Sequence, residues 1–252
     1  MKLAWDSQGD GAPVLLIQGL GYTRQGWGPL RERLARRYRV ISFDNRGIGE
    51  SDIPPGPYSV EQLAGDAVQV LDEAEVDRAH VLGASLGGFV AQVVAAEHAD
   101  RVERLVLACT SPGGPGSYPL PEQTLRLMAE APSLAPEVAL RRFVENAVAA
   151  GAEPELIDEI YAYRQKHPPD PGGWAAQAGA GAAWDAGDRL QRIEAPTLVV
   201  TGTGDTVVDP RNADLLAERI AGARLERIEG AGHMLFWERT EEFAGIVERF
   251  LG

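Results

Sequence analysis

Five short apolar segments, rich in Val, Leu and Ile, constrain the fold of this chain more than any other feature. They are residues 14–17, 40–43, 80–82, 102–107 and 197–201. Because they are continuously apolar rather than alternating, each is typical of a strand buried on both faces of a parallel sheet. Helical patterns of about a dozen residues separate them, which indicates βαβ units. The sequence therefore predicts an open α/β fold, a mostly parallel sheet with helices on both faces.

Two of the helical patterns are especially clear. Ser59 and Gln62 form a capping-box pair, and the apolar residues that follow share one helix face. The end of the chain repeats the pattern, with apolar residues at helical spacing from Phe243 to Leu251. Both segments predict helices that cover the sheet.

The stretch from about residue 111 to residue 190 interrupts the alternation of strands and helices. It contains helical patterns separated by Pro and Gly clusters but no convincing strand. This predicts a core domain of residues 1–110 and 191–252 with a helical cap of residues 111–190. Within the cap, residues 175–183 are Ala and Gly except for Gln177, a pattern typical either of a closely packed helix or of a mobile lid.

Charge and composition exclude several classes of protein. The net charge is -13, and the 24 basic residues form no long run, so no nucleic-acid partner is expected. The N-terminus lacks a signal-peptide pattern, and no apolar run is long enough to insert into a membrane, so we expect a cytoplasmic protein. A single cysteine, Cys109, forms neither an internal disulfide nor a zinc cluster. We expect no metal and no cofactor.

The chemistry is predicted at the end of the third apolar segment. There the chain reads Gly83-Ala84-Ser85-Leu86-Gly87 between a strand and a helix. A strand that turns into a helix this sharply strains the middle residue, and the flanking glycines avoid clashes. The Ser85 hydroxyl is then exposed at the tip, and the Leu86 N–H at the helix start can stabilise an oxyanion. This pattern predicts a nucleophilic serine.

With this strand, turn and helix the chain resembles the α/β-hydrolase family, in particular its bacterial esterase, enol-lactonase and cofactor-free haloperoxidase-like branch. The resemblance implies a catalytic triad in the chain order Ser, Asp, His. Asp205 lies just beyond segment 197–201, where catalytic groups collect in parallel sheets. Asp209 is a rival, but it directly precedes Pro210 and more plausibly starts the next helix.

The histidine of the triad is predicted by elimination and by the family position. Among the four histidines, only His233 lies in a glycine-rich loop before the final helix. Its side chain can take and return a proton near neutral pH. The others lie at a strand start, at a helix end and in the cap, and they are His80, His98 and His167. The predicted triad is therefore Ser85, Asp205 and His233.

The resemblance also implies a second oxyanion donor, the backbone N–H of Leu20 in the turn Gln18-Gly19-Leu20-Gly21. The family usually has His-Gly at the start of this turn. Because the donor is a backbone group, the change to Gln18 is compatible with an oxyanion site, but it leaves open how the turn is held. Residues 44–51 also match a family turn, and we expect an Arg–carboxylate brace there rather than a substrate contact.

These residues together predict acyl transfer on an uncharged, medium-sized ester or lactone, without a cofactor. Trp174, Trp184 and Met234 are candidates for an apolar substrate pocket. Hydrolysis of carbon–carbon bonds and perhydrolysis or halide oxidation use the same triad and stay open. A hydrolase-fold receptor with slow turnover is a third alternative, and the sequence does not indicate an oligomeric state. Ser85 argues against the family members that need an aspartate nucleophile.

Overall fold

Seven strands form a single sheet in this protein, for which a computed structural model describes residues 1–252. The strands are β1 (Trp5–Gln8), β2 (Pro13–Ile17), β3 (Arg39–Phe43), β4 (Ala79–Ala84), β5 (Val102–Ala108), β6 (Thr197–Gly202) and β7 (Arg224–Ile228). Their order across the sheet is β1-β3-β2-β4-β5-β6-β7, and only β1 runs antiparallel to its neighbour. The prediction of a mostly parallel α/β sheet is confirmed.

All five predicted strands lie in the middle of this sheet. The two edge strands lack the continuous apolar run by which the middle strands were predicted. The middle strands are buried along almost their whole length. β1 and β7 are largely exposed and carry polar or charged residues, such as Asp6 and Glu226. Edge strands face solvent on one side, so they need no continuous apolar run.

Ten α-helices accompany the sheet. They are α1 (Pro29–Leu34), α2 (Val60–Glu73), α3 (Leu86–Glu97), α4 (Glu122–Glu130), α5 (Pro136–Ala147), α6 (Pro154–Lys166), α7 (Pro171–Ala182), α8 (Asn212–Arg219), α9 (Leu235–Glu238) and α10 (Thr240–Leu251). The apolar faces of α2, α3 and α8 pack in one core cluster, and those of α1, α9 and α10 pack in a second. No helix combines the length and the apolar character needed to cross a bilayer.

The capping box predicted before α2 is present. The Gln62 backbone N–H donates to Ser59 Oγ at 3.2 Å, and the Ser59 N–H donates to Gln62 Oε1 at 3.1 Å. Two of the four orphan donors at the start of α2 therefore have partners. The helix then buries its apolar face against the sheet, which is what the spacing of its apolar residues predicts.

Four helices, α4 to α7, lie between β5 and β6. The Ala- and Gly-rich residues belong to α7, which approaches the core closely. A Cβ added to Gly173 would lie 1.9 Å from the carbonyl oxygen of Gly47, and one added to Gly181 would lie 3.2 Å from Leu86 Cδ1. Of the two interpretations of this segment, the structure shows a closely packed helix. Its small residues let the cap contact both the turn after β3 and the start of α3.

We expect Gly87→Ala and Gly65→Ala to have opposite effects on the free energy of unfolding. An added Cβ at Gly87 would lie 2.0 Å from the Ile17 carbonyl oxygen, whereas Gly65 in α2 has no atom within 4 Å of that position. Gly87→Ala should cost about 3 kcal/mol or more, and Gly65→Ala should stabilise by about 0.5–1 kcal/mol. Urea unfolding followed by circular dichroism measures both. Wild-type stability of the Gly87 variant would show that α3 and β2 are not in this close contact.

Candidate active site

Ser85 lies at the turn between β4 and α3 with a strained backbone. Its φ of 55° and ψ of -123° are values that non-glycine residues rarely adopt. The flanking glycines are needed because an added Cβ at Gly83 would lie 2.2 Å from the Gly87 carbonyl oxygen. At Gly87 it would meet the end of β2. The turn therefore requires residues without a Cβ two positions before and two positions after the serine.

Three hydrogen bonds hold the Ser85 backbone in this conformation. The Ser85 N–H donates to the Ala108 carbonyl at 3.0 Å. Its own carbonyl accepts from the Gly88 N–H at 2.8 Å and from Thr110 Oγ1 at 2.8 Å. Both of its backbone polar groups are thus satisfied, and the strain is fixed by the neighbouring strand β5 and helix α3. The role of Thr110 had no signal in the sequence.

Asp205 and His233 meet at the carboxyl end of the sheet. His233 Nδ1 lies 2.8 Å from Asp205 Oδ2. The other carboxylate oxygen, Oδ1, accepts the N–H groups of Val207 at 2.8 Å and Val208 at 2.9 Å. Asp205 is 4% exposed and His233 is 8% exposed. The pairing assigns the imidazole proton to Nδ1 and leaves Nε2 as the nitrogen that can accept a proton.

Asp209, the rival acid, takes a different partner. Both of its carboxylate oxygens bind the exposed Arg211 guanidinium, at 2.9 and 2.5 Å. Helix α8 begins only at Asn212, whose N–H donates to the Asp209 carbonyl. Asp209 therefore belongs to the entry into α8 and has no contact with His233.

The structure contains no hydrogen bond between Ser85 Oγ and His233 Nε2. Of the predicted contacts among the three side chains, it shows the one between Asp205 and His233. Hydrogen bonds to catalytic nucleophiles are often long in free enzymes and tighten when substrate binds. The nucleophile side of the site thus has more freedom than the acid side.

Cys109 lies beneath the pair of Asp205 and His233. Its sulfur, a carboxylate oxygen of Asp205 and a ring nitrogen of His233 lie within 4.8 Å of one another. Burial, followed by the negative charge of Asp205, raises the pKa of the Cys109 thiol well above its usual value. The Nδ1 and Oδ2 atoms already bind each other, so a metal ion here would have to displace that hydrogen bond. This cluster suits an Asp–His pair better than a metal site.

Glu238 in α9 fixes the loop that carries His233. Its carboxylate accepts the N–H of Gly232 at 3.1 Å and the N–H of Ala149, two residues after the end of α5, at 2.8 Å. Burial raises the pKa of the Glu238 carboxyl, and these two hydrogen bonds act in the opposite direction. Sequence reasoning missed this residue, because only the fold brings residues 149, 232 and 238 together.

The backbone N–H groups of Leu20 and Leu86 have no acceptor within the protein. Leu86 is the first residue of α3, so its N–H lies at the positive end of a helix dipole. The turn containing Leu20 contacts the serine, since an added Cβ at Gly19 would lie 3.0 Å from Ser85 Cβ. Two free donors therefore lie on the elements that flank Ser85, and they can hold an anionic oxygen.

Gln18 holds its turn in a way that the family pattern did not indicate. Its side-chain Oε1 accepts the Gly19 N–H at 2.7 Å, and its carbonyl accepts from Asn45 Nδ2 at 3.1 Å. The brace expected in residues 44–51 is present. Arg46 binds Asp66 through two hydrogen bonds of 2.6 Å, and the Arg24 N–H donates to Asp44 at 2.7 Å.

The three pocket candidates have different environments. Trp174 is 38% exposed and lies beside the turn that contains Leu20. An added Cβ at Gly21 would be 2.7 Å from its ring. Trp184 is buried and stacks on Phe89 of α3, with ring centroids 5.8 Å apart. Met234 is buried in the core cluster beneath α9. A role for Met234 in a substrate pocket stays a prediction.

Comparison with known proteins agrees with this architecture. A family model described as alpha/beta hydrolase fold matches residues 12–240. The chain is 32% identical over 250 residues to a poly(3-hydroxyalkanoate) depolymerase of Ectopseudomonas oleovorans, covering 95% of this chain and 84% of the relative. It is 30% identical to a pimeloyl-(acyl-carrier protein) methyl ester esterase of Aeromonas hydrophila, with 100% of both chains covered.

A similar solved structure is the enol-lactonase from Burkholderia xenovorans LB400. It superposes with a TM-score of 0.85 at 31% identity, covering 99% of this chain and 96% of that one. At this coverage the match includes the sheet, the turn at Ser85 and the helices between β5 and β6. This chain therefore belongs to the α/β-hydrolase family and is an enzyme of the hydrolase type.

Proposed function

We propose that this protein is a serine hydrolase that cleaves carboxylic esters or lactones through an acyl-enzyme on Ser85. The observation that carries the proposal is the pair of unpaired N–H groups, of Leu20 and Leu86, beside a serine held in a strained turn. Backbone donors left without partners are costly inside a protein unless a ligand uses them. A developing oxyanion on a substrate carbonyl is such a ligand.

The reaction has two steps. In the first, His233 Nε2 accepts the Ser85 hydroxyl proton as Oγ bonds to the carbonyl carbon. The oxyanion formed is held by the two N–H groups, and the leaving alcohol takes the proton from His233 as its bond to carbon breaks. In the second, His233 takes a proton from the water molecule that attacks the acyl-enzyme. The bond between the carbonyl carbon and Ser85 Oγ then breaks as His233 returns the proton to Oγ, which releases the carboxylic acid and the free serine. With a lactone, the leaving alcohol stays attached to the acyl group.

Asp205 has a fixed role in both steps. It accepts a hydrogen bond from the Nδ1–H of His233, so the ring presents Nε2 to the serine, and it stabilises the imidazolium that forms. Two backbone N–H groups, of Val207 and Val208, fix the orientation of its carboxylate. The acid side of the site is therefore preorganised before substrate arrives.

The substrate class is supported by the residues near the Ser85 turn and by the relatives. Leu86 and Trp184 belong to one core cluster, Phe89 of α3 stacks on Trp184, and Trp174 lies beside Gly21 in the turn after β2. Two relatives are named for a methyl ester and an enol-lactone, whose cleavage is acyl transfer. We propose uncharged, medium-sized esters or lactones as substrates.

Ser85→Ala should lower the turnover of a p-nitrophenyl acyl ester by about four to six powers of ten, because the acyl-enzyme can no longer form. A fluorophosphonate probe should label the wild-type protein at one site and leave this variant unlabelled. Ser133→Ala is the matched control, since Ser133 is an exposed serine of the cap. It should keep the wild-type rate. A Ser85 variant with full activity would overturn the proposed function.

Asp205→Asn should lower kcat by about 10⁴-fold, because an amide no longer fixes the reactive tautomer of His233. Asp209→Asn tests the rival acid with the same chemical change, and it should stay within about threefold of wild type, since its partner is a surface arginine. Steady-state kinetics on one ester measures both. A large loss in the Asp209 variant together with an active Asp205 variant would reverse the assignment.

A substrate panel should show best activity on uncharged esters of butyrate to octanoate and on small lactones, because Leu86 and Phe89 at the start of α3 and Trp174 beside the turn after β2 are apolar. The panel should include acetyl to palmitoyl p-nitrophenyl esters, charged esters, lactones and vinylogous diketones, each assayed with and without hydrogen peroxide. Highest kcat/KM on charged or very long-chain esters would contradict the substrate class. Preference for a diketone would indicate carbon–carbon bond hydrolysis, and halide oxidation in peroxide would indicate a perhydrolase.

A further inference from the structure

Gln177 is the one polar side chain in the Ala- and Gly-rich part of α7, and it is completely buried. Burying an amide costs free energy unless its donor and acceptor find partners. The small neighbours of Gln177 bring α7 close enough to the core for the amide to reach backbone groups of other elements. Its position therefore has a cost that only specific contacts offset.

Those contacts are to two loops of the core. Gln177 Oε1 accepts the Gly21 N–H at 3.2 Å, and its Nε2 donates to the Arg46 carbonyl at 2.8 Å. Gly21 follows directly after Leu20, whose N–H is one of the two free donors beside Ser85. The amide thus fixes the peptide between Leu20 and Gly21 and ties it to the turn after β3, which the bond between Arg46 and Asp66 braces.

Two further cap residues hold the same segment, residues 18–23, which we term the oxyanion loop. The Arg164 guanidinium donates to the Gly21 carbonyl and lies over the Tyr22 ring, 4.2 Å from its centroid. The Tyr163 hydroxyl accepts the Thr23 N–H at 3.2 Å. Both polar groups of the Gly21 backbone therefore bind cap side chains.

Gly21 is the position where such contacts matter most. Its φ of 71° lies in the left-handed region, and without a side chain it has several accessible conformations. A rotation of this peptide would change the direction of the chain at Leu20. Since the N–H of Leu20 must point at the reacting oxygen, the cap contacts restrict the group on which the oxyanion site depends.

We infer that the cap positions the oxyanion loop for catalysis and that Gln177 is a positioning residue in this contact. The inference rests on the proposed function, because it assigns Gln177 to the stabilisation of the acyl-transfer transition state. Gln177 does not touch the substrate; it acts through Gly21 and Leu20. A residue that only docks the cap would affect stability, whereas a positioning residue affects transition-state binding.

The test is Gln177→Leu, which removes both hydrogen bonds with little change in volume. We expect kcat for a p-nitrophenyl ester to fall about 10- to 100-fold, less than or equal to the loss of a whole oxyanion donor, with KM within about threefold of wild type. The inhibition constant of an aryl boronic acid, whose tetrahedral adduct with Ser85 places an oxygen in the oxyanion site, should rise by the same factor. Gln177→Glu keeps the acceptor for Gly21 and should recover part of kcat.

Gln165→Leu is the matched control, because Gln165 is an exposed cap glutamine that bonds only to Tyr161. It should leave kcat and the inhibition constant unchanged. If Gln177→Leu does not fold, Arg164→Met is the variant to measure. Arg164 is only partly buried, and its replacement removes the hydrogen bond to the Gly21 carbonyl. The same loss of kcat and of boronic acid affinity is then expected.

The outcomes separate this inference from the proposed function. Wild-type kcat and boronic acid affinity in a folded Gln177→Leu variant, or in Arg164→Met where the first does not fold, would overturn the inference and leave the proposed function intact. A lower melting temperature with unchanged kinetics would have the same meaning. Absence of fluorophosphonate labelling in the wild-type protein would overturn the proposed function, and this inference with it.

Discussion

The strained backbone of Ser85 is the constraint on which the rest of the structure depends. A left-handed conformation at a non-glycine residue costs about 1–3 kcal/mol and persists only where its surroundings fix it. Here the surroundings are the ends of three parallel strands: β2 against Gly87, β4 before the turn, and β5 through Ala108 and Thr110. The same contacts that enforce the strain bring the loop after β2 to the serine. Strain and oxyanion site are therefore products of one packing arrangement.

The two halves of the site differ in how firmly they are held. Asp205 has a hydrogen-bond partner on each carboxylate oxygen, so the orientation of His233 is set without substrate. The hydroxyl of Ser85 has no hydrogen-bond partner in the protein. Under the proposed function, the acid–base pair therefore needs little reorganisation, and the nucleophile adjusts to the bound carbonyl.

Much of the fold was predictable because its signals are local. Continuous apolar runs mark the buried strands, the capping box marks α2, and the glycines around Ser85 mark the turn. The edge strands β1 and β7 carry no continuous apolar run because they are half exposed. The contacts of Cys109, Gln177 and Glu238 join residues far apart in the chain. Such contacts cannot be predicted from the spacing of residues in the sequence. Gln177 was visible only as an exception in an Ala- and Gly-rich run.

The carboxylate of Glu238 links two parts of the molecule that have separate tasks. This carboxylate accepts the N–H of Gly232, directly before His233. It also accepts the N–H of Ala149, in the connection between α5 and α6. The loop that carries His233 and the helices between β5 and β6 therefore share an anchor. A shift of the chain at residue 149 would reach the imidazole ring through this single side chain.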